Sequence, residues 1–272
     1  MKIVLFSSHY TGRINDLNVY ELITAHPDFE YTFVIVDNRF KYLKNKLKNL
    51  IKEIIFFILF KKPYWYSARR RLEKKVSMKV PAHFDEHLKK IYVKDVNGSE
   101  TEKIIRSLKP DILVQCGAGI LKENIFSIPN IGTLNVHHGI APELRGVSST
   151  FWAMYYGMLD YIGTTVHFID KTLDTGVVII QKKTLLPKHF DYIEVIFQTW
   201  IQGAPLLSEA IKIIQEEYTI TENEVKSFYF SSVSNQKYLA LKNNNFLALD
   251  NHKSLKYKIK SKKVLVPTTR HQ

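Results

Sequence analysis

The chain has 272 residues, 45% hydrophobic and 24% charged, an ordinary composition for a folded soluble protein with one large core or one and a half. Its single cysteine, Cys116, excludes an internal disulfide and an all-cysteine metal site, and it fits a reducing, cytoplasmic setting. The net charge of +13 is uneven: residues 39–90 hold 16 Lys/Arg against 4 Asp/Glu and residues 221–272 hold 10 against 3, which leaves −6 elsewhere. The basicity therefore belongs to an insert-like segment and a tail.

Residues 2–6 read as a first strand, too short an apolar run for a signal peptide. Residues 16–25 have helical spacing, with Leu17, Tyr20, Leu22 and Ile23 as apolar positions, and 31–36 read as a second strand. Residues 37–90 break this rhythm. Lys44, Lys46, Lys48 and Lys52 precede the longest apolar run, 54–60, which at seven residues is far below the roughly 20 needed to span a bilayer. Pro63-Tyr64-Trp65-Tyr66 and Arg69-Arg70-Arg71 follow.

Residues 91–93 read as a strand. Ser99 with Glu102 matches a capping box, and the helix it opens stops at Pro110. A buried strand at 111–115, a short helix at 124–127, a strand at 132–136 and an aromatic helix at 148–156 come next. The strands expected at 164–169 and 177–181 are adjacent and joined by a turn at Asp174. A long amphipathic helix spans 192–215. The alternation predicts an α/β fold with a mostly parallel, Rossmann-like sheet covered on both faces, and sites in such sheets gather where loops leave the carboxyl ends of strands. His137 and Asp174 are expected there. The expected division is a catalytic domain at 1–217, with the basic insert at 39–90, and a small β-rich C-terminal subdomain at 218–272.

Asn135 and His137 are two apart, so on a strand their side chains share a face. Asp174 lies in a turn-forming Asp-Thr-Gly. A hydrogen-bond donor, a titratable ring and a carboxylate that converge suit acyl transfer. His138 has the opposite parity and is expected to pack away from that face, and Cys116 reads as a buried thiol.

Read together, Asn135-Val136-His137, Pro142, Arg145-Gly146, Gly163-Thr164-Thr165-Val166-His167 and Leu173-Asp174-Thr175-Gly176 resemble the formyltransferase family, whose members use 10-formyltetrahydrofolate. The likeness covers about residues 110–181. It implies a catalytic trio of Asn135, His137 and Asp174. It also implies a folate site against the backbone of Gly119, Ile120 and Leu121 and of the loop carrying Ile169, Asp170 and Thr172, with no metal. Asn135 and a protonated His137 would donate to the formyl oxygen, each donor lowering the barrier by roughly 3–4 kcal/mol. The amine would lose its proton to His137, directly or through a water held by Asp174; the order stays open. His167 matches a histidine of some branches and either positions Asp174 or packs.

Two departures bear on the acceptor. Gly139-Ile140-Ala141-Pro142 replaces the Ser-Leu-Leu-Pro of many relatives, and Ser7-Ser8-His9-Tyr10-Thr11-Gly12 lacks the Gly-rich form with which the purine-pathway enzyme holds its ribose phosphate. The loop through Trp152 and the Phe228-Tyr229-Phe230 stretch resemble the small-amine branch with nucleotide-sugar enzymes of lipopolysaccharide and O-antigen synthesis. A nucleotide-linked amino-deoxy sugar is therefore the expected acceptor. His9, Tyr10, Gly139 and Arg145 are its candidate contacts, and aromatic and basic residues of 64–71 can stack a base and pair a pyrophosphate. N5-hydroxyornithine or another small amine remains an alternative. So do methionyl-tRNA, against which stands a C-terminal barrel of roughly 100 residues in that enzyme with 91 residues after Gln181 here, and formyl-folate hydrolysis, whose enzyme carries an N-terminal regulatory domain. Nucleic acid is not expected as partner; a homodimer is. The basic, apolar 44–62 stretch reads as a helix packed on the sheet or at a dimer seam, with contact to anionic lipid as the other reading.

Overall fold

The computed structural model describes residues 1–8, 13–37, 47–48, 50–51, 54–55, 58, 72–76, 78–81, 83–186, 192–216, 218–231 and 257–267. Its strands are β1 (Lys2–Ser8), β2 (Glu30–Val36), β3 (Lys89–Val93), β4 (Ile112–Cys116), β5 (Gly132–His137), β6 (Leu144–Gly146), β7 (Gly163–Phe168), β8 (Val178–Lys183), β9 (Tyr218–Phe230) and β10 (Lys258–Pro267). The helices that flank the sheet include α1 (Arg13–Ala25), α2 (Ser99–Leu108), α3 (Glu123–Phe126), α4 (Ser149–Tyr155) and α5 (Tyr192–Gln215), and residues 72–76 and the described residues between 47 and 58 are helical as well. All strands join one sheet in the order β3-β2-β1-β4-β5-β7-β8-β10-β9-β6.

β1 shows why this sheet has helices on both faces. Its apolar residues run without interruption, and the two-residue period sends Ile3 and Leu5 to one side and Val4 and Phe6 to the other. Ile3 and Leu5 pack with Val19 and Leu22 of α1 and Leu207 and Ile211 of α5, whereas Val4 and Phe6 pack with Ile105 of α2 and Ile125 of α3. The five strands β3-β2-β1-β4-β5 are parallel. β7 then pairs antiparallel with β5, and β8 antiparallel with β7. The α/β, mostly parallel reading stands. Cys116 is buried, and burial pushes its thiol up to about 12.

Two local expectations change. α1 begins at Arg13, three residues earlier than the apolar spacing starts. α2 has no capping box: Gly98 is its N-cap with no side-chain bond, while the Glu102 carboxylate accepts from Asn124 Nδ2 at 3.0 Å and Arg106 Nε at 3.0 Å. A partner on the same helix, Arg106, and a tertiary one, Asn124, thus claim the glutamate that the capping motif would have used. The stretch at 44–62 lies largely outside the described residues; of those that are described, Leu47, Leu50, Ile51, Ile54, Ile55 and Ile58 are exposed. Within 218–272, β9 and β10 form an antiparallel pair that extends the main sheet through β8, and β9 runs beside β6.

Candidate active site

Asn135 and His137 occupy the last turns of the pleat in β5, and the antiparallel register sets Asn135 opposite His167 and His137 opposite Thr165. All four side chains therefore share one face. His137 ends a parallel strand, as expected for a site. Asp174 arrives differently. β7 runs against β5, so its carboxyl end lies beside the start of β5, where Ile169 N–H donates to Thr133 O at 2.7 Å. The loop leaving there folds back and delivers Asp174 between the two histidines. Asp174 Oδ2 stands 3.6 Å from His137 Nδ1, and Oδ1 stands 3.7 Å from His167 Nε2.

The hydrogen bonds assign the protons. Leu144 O can only accept, so His137 Nε2 carries hydrogen and donates to it at 2.9 Å, with Ser149 Oγ also 3.2 Å away. Nδ1 is then the nitrogen turned to Asp174. On His167, Nδ1 donates to Phe168 O at 2.8 Å, and Nε2 accepts from Asn135 Nδ2 at 3.2 Å. Burial holds the His167 imidazole below the usual histidine range, against the pull of the Asp174 carboxylate. A neutral His167 thereby fixes which way the Asn135 amide points and leaves its second N–H unspent. His138 faces the other side, its ring 6.1 Å from Trp200, and burial with the neighbouring His137 takes it down to about 3.

Asp174 sits at a φ of 53°, held by two contacts from β6: Gly146 N–H donates to Oδ2 at 2.9 Å, and Arg145 Nη1 donates to Leu173 O at 3.1 Å. Only glycine fits at 146, where φ is 98° and a Cβ would run into Phe230 O. Arg145 is buried and spends Nε on Ser227 Oγ at 2.8 Å, with its guanidinium 5.7 Å from the Tyr229 ring. It thus ties the Asp174 loop to β9.

The expected folate segments meet. Ile169 packs in the cluster that holds Ala118 and Leu121. The loop after β4 is shaped by Gln115, whose Nε2 donates to Gly119 O at 2.8 Å, and by Asn97, whose Nδ2 donates to Ile120 O at 3.0 Å. Open space lies beside Gly119, and the Ile120 side chain is exposed. Asp170 braces its own loop, accepting from Thr172 N at 2.9 Å and from Thr175 Oγ1 at 2.9 Å. His9 and Tyr10 lie outside the described residues. Gly139 touches the site directly: a Cβ there would lie 2.9 Å from His137 Nε2.

Sequence reasoning missed the residues that hold this loop. Thr165 Oγ1 donates to Gly139 O at 2.7 Å and accepts from Ala141 N at 3.0 Å and Gln181 Nε2 at 2.9 Å. The strand parity of Thr165 with His167 was the available signal. Ser149 and Ser227 carried none, being bonded across 12 and 82 positions.

Comparison with known proteins resolves what this arrangement belongs to. The profile of the family described as formyl transferase matches residues 33–193, more than half of the chain. The chain belongs to the formyl transferase family. A methionyl-tRNA formyltransferase of Chlorobium chlorochromatii (strain CaD3) is 30% identical over 129 residues, 47% of this chain and 41% of that protein. The chain thus spans about two fifths of that curated relative. Among solved structures, a sugar N-formyltransferase from Shewanella sp FDAARGOS_354 superposes with a TM-score of 0.52 at 13% identity, covering 85% of this chain and 77% of that one. A phosphoribosylglycinamide formyltransferase from Anaplasma phagocytophilum gives 0.55 at 14% identity, covering 81% and 90%. These two likenesses show the formyltransferase fold.

Proposed function

We propose that this formyl transferase moves a formyl group from 10-formyltetrahydrofolate to the amine of a nucleotide-linked amino-deoxy sugar. The observation that carries the formyl-transfer reading is the convergence of Asn135, His137 and Asp174, with Asp174 3.6 Å from His137 Nδ1. The open backbone beside Gly119, packed against the braced loop at 169–175, fits a flat heterocycle held by main-chain groups. When bound, the folate supplies the formyl carbon.

The chain's own residues do the rest. The unspent Asn135 N–H is a donor for an oxygen gaining negative charge, a contribution of about 3–4 kcal/mol for such a donor. His137 Nδ1, with Nε2 tied to Leu144 O, is the atom that exchanges a proton with the amine, and Asp174 stabilises the ring when it is charged. The neutral His167 keeps the amide turned the right way.

For the acceptor, support comes from the loop after His137. Gly139-Ile140-Ala141-Pro142 and Arg145-Gly146 resemble the small-amine branch, and β9 adds an exposed Tyr229 above Arg145 as a surface on which a base can stack. The second reading, methionyl-tRNA as acceptor, draws on the name of the curated relative and on the basic segments.

One assay separates them: 10-formyltetrahydrofolate with a panel of nucleotide-linked amino sugars, N5-hydroxyornithine and methionyl-tRNA, following release of tetrahydrofolate and formylated product. Turnover with a sugar, lost in His137→Asn while the melting temperature holds, is the expected result. Turnover with methionyl-tRNA alone overturns the sugar assignment, and a His137→Asn protein at wild-type rate overturns the mechanism.

A further inference from the structure

We propose that the helical residues between Leu47 and Ile58 form a docking face that seats the chain on an anionic lipid surface. Leu47, Leu50, Ile51, Ile54, Ile55 and Ile58 are helical, and each is 47–61% exposed. Steps of three and one residues in alternation draw a single stripe along a helix. None of the six belongs to the buried clusters that account for the sheet and its helices. Six branched aliphatic side chains in one exposed row call for a cover.

Charge selects the cover. The stripe lies in the 39–90 segment with 16 Lys/Arg against 4 Asp/Glu, and Lys48, beside Leu47, is itself exposed. Lys44, Lys46 and Lys52 are near it in sequence. A second copy would press this excess of like charge against itself, so a self-interface here works against electrostatics. An anionic bilayer accepts both features. The aliphatic row enters the boundary between headgroups and acyl chains, while the exposed Lys48 carries its ammonium group to lipid phosphates. Among the described residues no helix is long and apolar enough to cross a membrane, so the contact is an in-plane one. The inference uses no residue of the formyl-transfer site and stands apart from that reading.

The test is flotation of the full chain with vesicles of phosphatidylcholine containing phosphatidylglycerol, against vesicles of phosphatidylcholine alone, at low and high salt. Binding to the anionic vesicles is expected, weakened about tenfold on neutral vesicles or at high salt. The double substitution I51D/I55D is expected to weaken it about tenfold or more, and Lys48→Glu severalfold, with melting temperature unchanged in both. Equal binding to neutral and anionic vesicles overturns the proposal, as does wild-type binding by I51D/I55D, which would leave only a nonspecific basic surface. Sedimentation supplies the other refutation: a dimer dissolved by I51D/I55D, together with no vesicle binding, makes the stripe a self-interface.

Discussion

Alanine at Gly139 is expected to impair the proposed catalysis far more than folding, because the added methyl meets the His137 ring first. Its Cβ would lie 2.9 Å from His137 Nε2 and 2.7 Å from Ser149 Cβ. An ordinary carbon contact needs about 3.5 Å, so the ring or the loop must yield by roughly half an ångström. The ring cannot yield without cost, since Nε2 is bonded to Leu144 O at 2.9 Å. The loop is held as well, by Thr165 Oγ1 on Gly139 O at 2.7 Å. Overpacking of this kind costs about 1–3 kcal/mol of stability. Turning the ring also moves Nδ1 relative to Asp174, and misplacement on this scale lowers turnover by about a hundredfold. The assay is kcat and KM for formyl transfer beside a urea unfolding curve. A fall in kcat with little change in the KM for formyl-folate is expected, because the folate loops brace themselves through Gln115, Asn97 and Asp170. A Gly139→Ala protein within twofold of wild-type kcat would refute the claim that His137 is locked in place.

His167→Leu removes the acceptor that orients the Asn135 amide and is expected to lower kcat about tenfold at unchanged KM, with His167→Gln restoring part of it; equal rates for all three proteins would sink the positioning role. Acid stability reads the buried imidazoles. His138 falls from 6.5 to about 3 and His167 is also lowered, so the unfolded chain binds the protons and the stability these rings supply is full above about pH 6.5 and lost as pH falls below it. Each contributes a slope of up to about 1.4 kcal/mol per pH unit, and His138→Phe should flatten the curve between pH 6.5 and pH 5 by about that much in urea titrations; an unaltered slope contradicts the assignment. Glu143 and Lys262 form a 2.7 Å pair with each side chain under one-sixth exposed, and Glu143 Oε2 has no other partner. Lys262→Met is expected to cost about 3 kcal/mol in guanidinium unfolding, most of it recovered in E143Q/K262M; an unrecovered double variant would mean that packing, not charge, ties β10 to the loop.

What local pattern could reveal, it did. Asn135 and His137 share a face because a strand repeats every two residues, and β1 and β4 announce themselves by their apolar runs, Ile3 to Phe6 and Ile112 to Val114. The site's second layer depends on pairings that no local pattern carries. His167 meets Asn135 only through the antiparallel register of β5 and β7. Arg145 reads in sequence as a candidate acceptor contact, and its guanidinium also bonds Leu173 O and Ser227, 28 and 82 positions away. Ser99 and Glu102 matched a capping motif, but Asn124, 22 positions away, and Arg106, on the next turn, hold the same carboxylate. In each case the deciding partner is one that the local motif does not display.

The two parts of the site are built by different means. Asn135, His137 and His167 stand on strands paired in register, where a slip of one residue would turn every side chain to the opposite face. Residues 139–143 instead follow a loop held by side-chain bonds from Thr165, Gln181 and Ser227 to its main chain. Those bonds grip backbone oxygens, while Ile140 and Ala141 are themselves buried and Glu143 pairs with Lys262. Substitution at the exposed Tyr229 is accordingly expected to change the acceptor preference proposed above, and substitutions on the strands are expected to change formyl transfer itself.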